Sequence, residues 1–179
     1  NFGNICAGIM AQKLGLPVKH FVASTNVNDT IPSYLKDGNY NPKPSKATIS
    51  NAMDVGNPSN FIRIQELFDN DINKLKQHFS SYSFTDEQTK AAMKNIKEIS
   101  DYIADPHGAV GYLGLKEYQS TDNEYGIFLE TAHPVKFLDV VEETLNVNVE
   151  ILQIQAVMHR EKVAKQISSY NELKAFLNI

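Results

Sequence analysis

The sequence has 179 residues, of which 42% are hydrophobic and 21% are charged. This length and apolar content are typical of one soluble globular domain and exclude a disordered chain. No apolar run reaches the roughly 18 residues that a membrane span needs, and the net charge of −4 argues against a general nucleic-acid-binding protein.

The single cysteine, Cys6, excludes an internal disulfide framework and favours a reducing compartment, so we expect a cytoplasmic protein. Because Cys6 lies within an apolar run, we expect a packed core thiol rather than a nucleophile. The N-terminus lacks a basic stretch followed by an apolar one, so the sequence shows no secretory signal. The chain opens on Asn1-Phe2-Gly3-Asn4, which is typical of the start of a loop rather than of a domain.

The first part of the sequence predicts a helix, a strand and a second helix. Apolar residues form a broad face from Gly3 to Gly15, and Gly15 is suited to ending a helix. Val18 to Ala23 is a short, β-branched run typical of a buried parallel strand. Capping side chains in residues 26–29 then predict a short helix to about Lys36. This order of elements indicates an α/β layered domain.

The middle of the sequence predicts mainly helices. Residues 37–57 are rich in Gly, Asn and Pro and are expected to be irregular. Four helices follow, each marked by a start signal or an apolar face. They are expected from Pro58 onward, from Ile72 to Phe79, from the Thr85 and Gln88 capping box to about Tyr102, and from Asp105-Pro106 onward.

The last part predicts a second buried strand at Gly126 to Leu129 and a helix from Pro134 to Leu145. Val147 to Ile154 fits either a strand or a helix face, and we favour a loop with a short helix. A serine-capped helix is expected from Tyr170 to Leu177. With no internal repeat and no linker, residues 1–179 are expected to form a single unit.

The number of predicted strands is small for the number of helices. Two or three strands among about eight helical segments provide too little sheet for a self-contained α/β domain. We therefore expect that further strands lie outside this chain.

The segment Asn1-Phe2-Gly3-Asn4 leads directly into the first predicted helix. The first turn of a helix presents free backbone N–H groups and the positive end of the macrodipole, so a phosphate group can bind there. Gly3 permits close approach of the backbone, while Asn1 and Asn4 can donate side-chain N–H groups. Asn and Gly also cap helices without any ligand, and spacing alone favours that interpretation.

Thr131 follows the second predicted strand, where open α/β sheets bind ligands. Its hydroxyl can form a neutral hydrogen bond to a ring nitrogen, whereas an aspartate would keep that nitrogen protonated. The alternative is that Thr131 caps the helix that begins at Pro134, and position alone favours the cap.

Three histidines are candidate acids, bases or metal ligands, but no zinc or calcium motif pairs them, so structural histidines are expected. They are His107, His133 and His159. Arg63 lies in a segment that also contains Asp54 and Asn60, and arginine is suited to a fixed bidentate contact with an anion. Binding of a substrate phosphate is one option for Arg63, while an ion pair or a helix-end contact is favoured.

Several segments together point to a known enzyme family. They are Asn1-Phe2-Gly3-Asn4, Leu16-Pro17-Val18, residues 23–29, Ser50-Asn51-Ala52-Met53-Asp54-Val55, Pro58-Ser59-Asn60-Phe61-Ile62-Arg63, Asp105-Pro106-His107-Gly108-Ala109-Val110-Gly111 and Glu130-Thr131-Ala132-His133-Pro134-Val135-Lys136-Phe137. In this order they resemble threonine synthase, the pyridoxal-phosphate enzyme family that makes threonine from O-phosphohomoserine. The resemblance covers essentially the whole chain.

The resemblance implies a helix-rich α/β fold of fold-type II, with a parallel sheet flanked by helices. It implies that this chain is the C-terminal part of the large domain and that the N-terminal part is absent. It also implies pyridoxal 5'-phosphate as the cofactor. Asn1, Phe2, Gly3 and Asn4 would hold the cofactor phosphate through backbone and amide N–H groups, and Thr131 would meet the pyridine nitrogen.

The reaction implied is loss of phosphate from the γ-carbon of O-phospho-L-homoserine, followed by addition of water at the β-carbon. It needs a lysine that binds the cofactor covalently, and in the family that lysine lies upstream of the glycine-containing loop. The resemblance therefore assigns no catalytic residue and no metal to this chain, which should be inactive alone. Two alternatives stay open: a non-catalytic module that binds an anion or a partner, and a related phospho-substrate lyase.

Overall fold

The structure is a computed structural model that describes residues 1–119, 125–149, 155, 157 and 159–178. It divides into two compact units, Asn1–Val149 and Glu150–Ile179. The single unit expected over the whole chain stays a prediction.

The first unit alternates helices with two short strands. Its elements in chain order are α1 (Gly3–Lys13), β1 (Phe21–Thr25), α2 (Thr30–Asp37), a 3-10 helix (Asn51–Met53), α3 (Phe61–Leu67), α4 (Ile72–His78), β2 (Phe79–Ser83), α5 (Asp86–Ser100), α6 (Pro106–Tyr118), a second 3-10 helix (Pro134–Phe137) and α7 (Leu138–Leu145). The predicted capping box at Thr85 and the predicted start of α6 at Pro106 are confirmed. Pro58, however, lies three residues before α3 instead of opening it.

The two strands pair in parallel, with Phe21 opposite Phe79 and Thr25 opposite Ser83. The first predicted strand is confirmed, although it begins at Phe21 rather than at Val18. The sequence does not predict β2, because its five residues include three serines and resemble a polar loop. Pairing with β1 and burial of Phe79 make this segment a strand.

The second predicted strand, Gly126 to Leu129, is wrong. Residues 125–130 form neither helix nor strand, and Ile127 and Leu129 are 82% and 61% exposed. A strand needs a neighbour that satisfies its backbone hydrogen-bonding groups. Among the described residues, no strand lies beside this segment.

Helices cover both faces of the sheet. Gly8 of α1 lies against the ring of Phe21, while Gly114 of α6 lies against Ser24. Successive side chains of a strand point to opposite faces, so α1 and α6 pack on opposite sides of β1. Cys6 belongs to the buried core between α1 and the sheet, as expected for a core thiol. The helix-rich α/β fold with a flanked parallel sheet is therefore confirmed.

The second unit contains α8 (Tyr170–Leu177), which begins after Ser169. The Ser169 hydroxyl accepts a hydrogen bond from the backbone N–H of Glu172, which confirms the predicted cap. The prediction for Val147 to Ile154 falls outside the described residues from position 150 onward. Within the described ranges, no helix combines the length and hydropathy needed to cross a membrane.

We expect Gly114→Ala to destabilise the protein. A Cβ at this position would overlap Ser24 Oγ and lie 2.9 Å from Ser24 Cβ, and such overpacking costs about 1–3 kcal/mol. Alanine is favoured over glycine in a helix by about 1 kcal/mol, so a net loss must come from the contact between α6 and β1. Urea denaturation measures the change in unfolding free energy.

Gly111→Ala is the matched control for Gly114→Ala, because both residues lie in α6. A Cβ at Gly111 would make only ordinary contacts with Phe128, at 3.7 and 3.8 Å. Equal denaturation midpoints for the two variants would contradict the close packing of α6 on β1.

Candidate functional site

Polar side chains collect at the end of the sheet where β1 ends. Asn26 follows β1 directly and is buried. Its Nδ2 donates to Ser50 Oγ at 3.1 Å and to Asp54 Oδ1 at 2.8 Å. Asp54 Oδ2 also accepts from the backbone N–H of Thr48 at 3.0 Å. These bonds hold the irregular segment before α3 at the carboxyl end of β1, the edge at which open α/β sheets bind ligands.

The N-terminal turn of α3 holds the first residue of the chain. Asn1 Oδ1 accepts hydrogen bonds from the backbone N–H and the hydroxyl of Ser59, both at 3.0 Å. Asn60 Nδ2 donates to the backbone carbonyl of Asn1, also at 3.0 Å. Phe2 has a φ of 59° and packs edge-on against Phe61. The segment before α1 is thereby anchored to α3, a role for Asn60 that sequence spacing does not predict.

The first turn of α1 presents backbone N–H groups without a side-chain cap. Gly3 and Asn4 are exposed, and the first backbone bond of the helix runs from the Cys6 N–H to the Phe2 carbonyl at 3.1 Å. The N–H groups before Cys6 therefore lack an intrahelical acceptor. Capping by asparagine, the interpretation that spacing alone favours, is wrong for this helix.

His133, and not Thr131, caps the second 3-10 helix. His133 Nδ1 accepts a hydrogen bond from the backbone N–H of Val135 at 3.2 Å. The capping role that position alone favours for Thr131 is therefore wrong, and Thr131 is exposed. His133 is a structural histidine, as the sequence predicts.

A buried pair of side chains lies at the start of α6. Asp105 Oδ1 accepts from the backbone N–H of His107 at 2.7 Å and from His107 Nδ1 at 2.6 Å. His107 Nε2 accepts from the backbone N–H of Ala52 at 3.2 Å, so this hydrogen-bond pattern assigns a neutral ring with its proton on Nδ1. Both ring nitrogens are used within the protein. His107 is therefore the structural histidine that the sequence predicts.

The carboxyl group of Glu130 lies beside this pair. It occupies the space that a Cβ at Gly108 would need. Asp105 Oδ2 and both carboxyl oxygens of Glu130 are buried, and they accept no hydrogen bond from the described residues. The pairing of Glu130 with Asp105 is not visible in the sequence, because the two residues lie far apart along the chain.

The two carboxyl groups differ in pKa. Burial and the neighbouring Asp105 raise the pKa of Glu130 to about 8. Burial alone would also raise the pKa of Asp105, but hydrogen bonds from His107 outweigh it and hold that pKa below its usual value. At neutral pH this arrangement places a proton on Glu130 and the negative charge on Asp105.

Arg63 lies exposed on α3. It forms no ion pair within the parts of the chain that the structure describes, so the ion pair expected as one of two alternatives is wrong, while the helix-end contact stays a prediction. His159 lies exposed in the second unit. Over the described ranges, no group of three His, Cys, Asp or Glu side chains could hold a metal ion.

Comparisons with known proteins support the family resemblance that the sequence segments indicate. Residues 108–177 match the family model described as "Threonine synthase, C-terminal". Threonine synthase of Escherichia coli is 47% identical over 151 residues, which cover 84% of this chain and 35% of that protein. Threonine synthase of Serratia marcescens is 40% identical over 179 residues, covering 99% of this chain and 41% of that protein. The chain belongs to the threonine synthase family.

Solved structures of the threonine synthase family have the same fold. The crystal structure of threonine synthase from Escherichia coli has a TM-score of 0.80 at 46% identity, covering 87% of this chain and 36% of that chain. A PLP-bound threonine synthase from Brucella melitensis has a TM-score of 0.84 at 28% identity, covering 90% and 40%. The chain thus spans well under half the length of the family members it matches.

The raised pKa of Glu130 predicts that stability falls as pH rises. The unfolded pKa of a glutamate is about 4.3, so with a folded pKa of about 8 the folded protein holds the extra proton between these values. The stability that Glu130 contributes is complete below about pH 4.3 and is lost as pH rises through about 8. Asp105, with its lowered pKa, changes the pH dependence of stability only in acid, below about pH 4.

Glu130→Gln cannot ionise, so its unfolding free energy should decline less than that of the wild type between about pH 5 and 8. Chemical denaturation at several pH values measures both profiles. Glu117→Gln, at an exposed position of α6, is the control and should follow the wild type. Parallel profiles for Glu130→Gln and the wild type would show that Glu130 is not protonated in the folded state.

Proposed function

We propose that this chain is the C-terminal part of a threonine synthase, a pyridoxal-phosphate-dependent carbon–oxygen lyase. The full-length enzyme converts O-phospho-L-homoserine and water into L-threonine and phosphate, the last step of threonine biosynthesis. One observation carries the proposal: the uncapped first turn of α1 occurs in a chain that is 47% identical to a threonine synthase.

The start of α1 is chemically suited to the phosphate group of the cofactor. Its backbone N–H groups and the positive end of the helix dipole favour an anion. We assign Asn1, Phe2, Gly3 and Asn4 to this phosphate site. Asn1 Oδ1 is occupied by Ser59, which leaves the Asn1 amide N–H groups to donate. Apart from its chain neighbours and the backbone of α1, the nearest protein atom to a Cβ at Gly3 would be Asn60 Nδ2, at 3.8 Å. Close approach of a ligand is therefore a better reason for this glycine than protein packing.

Thr131 is assigned to the ring nitrogen of the cofactor. The residue is exposed, and its hydroxyl is not needed as a helix cap. A hydroxyl forms a neutral hydrogen bond and leaves the nitrogen without the carboxylate that would keep it protonated. When bound, pyridoxal phosphate withdraws electrons from the substrate carbon atoms, and Thr131 and the start of α1 orient it.

The remaining parts of the active site are assigned to an N-terminal part of the same polypeptide. This part supplies the lysine that binds the cofactor, together with most contacts to the substrate phosphate. Two observations support it. The chain covers only 35% and 41% of its relatives, and exposed apolar side chains such as Leu14, Ile127 and Leu129 are typical of surfaces that another segment covers.

Both compact units are then the C-terminal portion of one larger catalytic domain of fold-type II. We expect the enzyme to act in the cytoplasm, because the one cysteine of this chain is a buried free thiol.

The full-length protein with pyridoxal phosphate should release phosphate from O-phosphohomoserine and form threonine in equal amounts. A phosphate assay and amino-acid analysis measure both products, and residues 1–179 alone should form neither. Phosphate without threonine would indicate a related phospho-substrate lyase. No product from the full-length protein would favour a non-catalytic module that binds an anion or a partner through the start of α1.

Thr131→Asp should lower the turnover of the full-length enzyme by about tenfold or more, because a carboxylate changes the protonation of the ring nitrogen. Circular dichroism and thermal unfolding should change little, since Thr131 is exposed. Thr131→Asn, similar in size but neutral, is the matched control and should lose less activity. Turnover of Thr131→Asp within a few-fold of the wild type would exclude the assigned role.

A further inference from the structure

The network around Asp105 connects three segments of the first unit. Ala52, in the first 3-10 helix, donates its backbone N–H to His107 at 3.2 Å. His107 in turn donates its Nδ1–H to Asp105 at 2.6 Å. Glu130, which lies directly before Thr131, places its carboxyl group beside Asp105 and over Gly108. The network therefore links the irregular segment before α3, the start of α6 and the backbone next to Thr131.

The oxygens of the two carboxyl groups need a proton between them. Asp105 Oδ2, Glu130 Oε1 and Glu130 Oε2 are buried, and no donor of the described residues reaches them. Two adjacent carboxylates that are shielded from water repel each other strongly when both are charged. A proton on Glu130 removes one charge and supplies the O–H group that Asp105 Oδ2 otherwise lacks.

The segment that precedes Thr131 contacts α6 through Phe128, which packs against Tyr112, and through Glu130. Residues 125–130 form no regular secondary structure, and both Leu129 and Thr131 are exposed. The Glu130 side chain, by contrast, points its carboxyl oxygens into the protein. Gly108 leaves room for that carboxyl group, since a Cβ there would overlap it. Glu130 is thus the buried polar side chain next to Thr131 that ties this segment to the start of α6.

We propose that Glu130 is a positioning residue for the cofactor site: its protonated carboxyl group donates a hydrogen bond to Asp105 and holds Thr131 at the start of α6. The titratable groups that face Glu130 are Asp105, its acceptor, and Tyr102, whose pKa is raised by burial and by these two carboxyl groups. His107 contacts the other carboxyl oxygen of Asp105, Oδ1. This inference rests on the proposed role of Thr131 at the cofactor ring.

The test measures binding of pyridoxal phosphate to the full-length protein and the absorbance of the bound cofactor as a function of pH. Glu130→Ala removes the hydrogen bond and should weaken cofactor binding by about tenfold, with a changed pH profile of the absorbance. Glu130→Gln keeps a neutral N–H donor and should restore the affinity to within about threefold of the wild type. Glu117→Gln, on the exposed side of α6, is the control and should match the wild type.

Gly108→Ala is the second variant, in case Glu130→Ala does not fold. It keeps both carboxyl side chains in the sequence but displaces that of Glu130, and it should likewise weaken cofactor binding. A purely structural network would lower the melting temperature in these variants while leaving the cofactor affinity and spectrum unchanged, and that result would overturn the positioning role.

Two other outcomes would also overturn it. If Glu130→Gln binds the cofactor as weakly as Glu130→Ala, the donated hydrogen bond is not what positions Thr131. If the wild type binds no pyridoxal phosphate, the proposed function itself fails. The two outcomes can be told apart, because the wild type binds the cofactor when only the role of Glu130 is wrong.

Discussion

The pairing of β1 with β2 depends on helices that bury both faces of the sheet, because parallel strands are rarely stable with one face in water. Two strands of five residues form only a small surface, so the helices must pack closely on it to bury enough apolar area. The contacts are therefore close: α1 approaches the sheet at Gly8 and α6 approaches it at Gly114, where glycine leaves no Cβ to separate helix from strand. This close approach fixes where the N-terminal ends of the helices lie relative to the ends of the strands.

Polar hydrogen bonds then organise the chain where the sheet ends. Asn26, directly after β1, bonds the irregular segment before α3 through Ser50 and Asp54, and the same segment reaches the start of α6 through the Ala52 N–H. Such buried polar bonds stabilise one arrangement of the loops when every partner is satisfied. Residues that are irregular by sequence pattern are consequently held in place, and this is the property that a cofactor site made mostly of loops requires.

Some features that depend on near neighbours in sequence are predicted correctly, although the caps expected at the start of α1 and at Thr131 are wrong. Features that depend on distant partners are harder to predict. The Thr85 capping box and the glycine at the end of α1 are set within a single helical turn, so their signals are local. The strand β2 is defined by β1, and the strand expected at Gly126 to Leu129 has no such partner in the described chain. The carboxyl pair of Asp105 and Glu130 is missed for the same reason, although the family resemblance includes both of their segments.

The starts of α1 and α6 differ in the acceptor that their N–H groups meet. At α6, Asp105 places a carboxylate of the protein itself on the positive end of the helix and accepts the His107 N–H. An added phosphate there would meet a buried negative charge. At α1 no side chain accepts from the first turn, and the neighbouring Asn1 oxygen is taken by Ser59. Of these two helix starts, only that of α1 presents unused donors without a competing anion. The phosphate site is therefore proposed there, and the carboxyl pair at α6 is assigned to the positioning of Thr131.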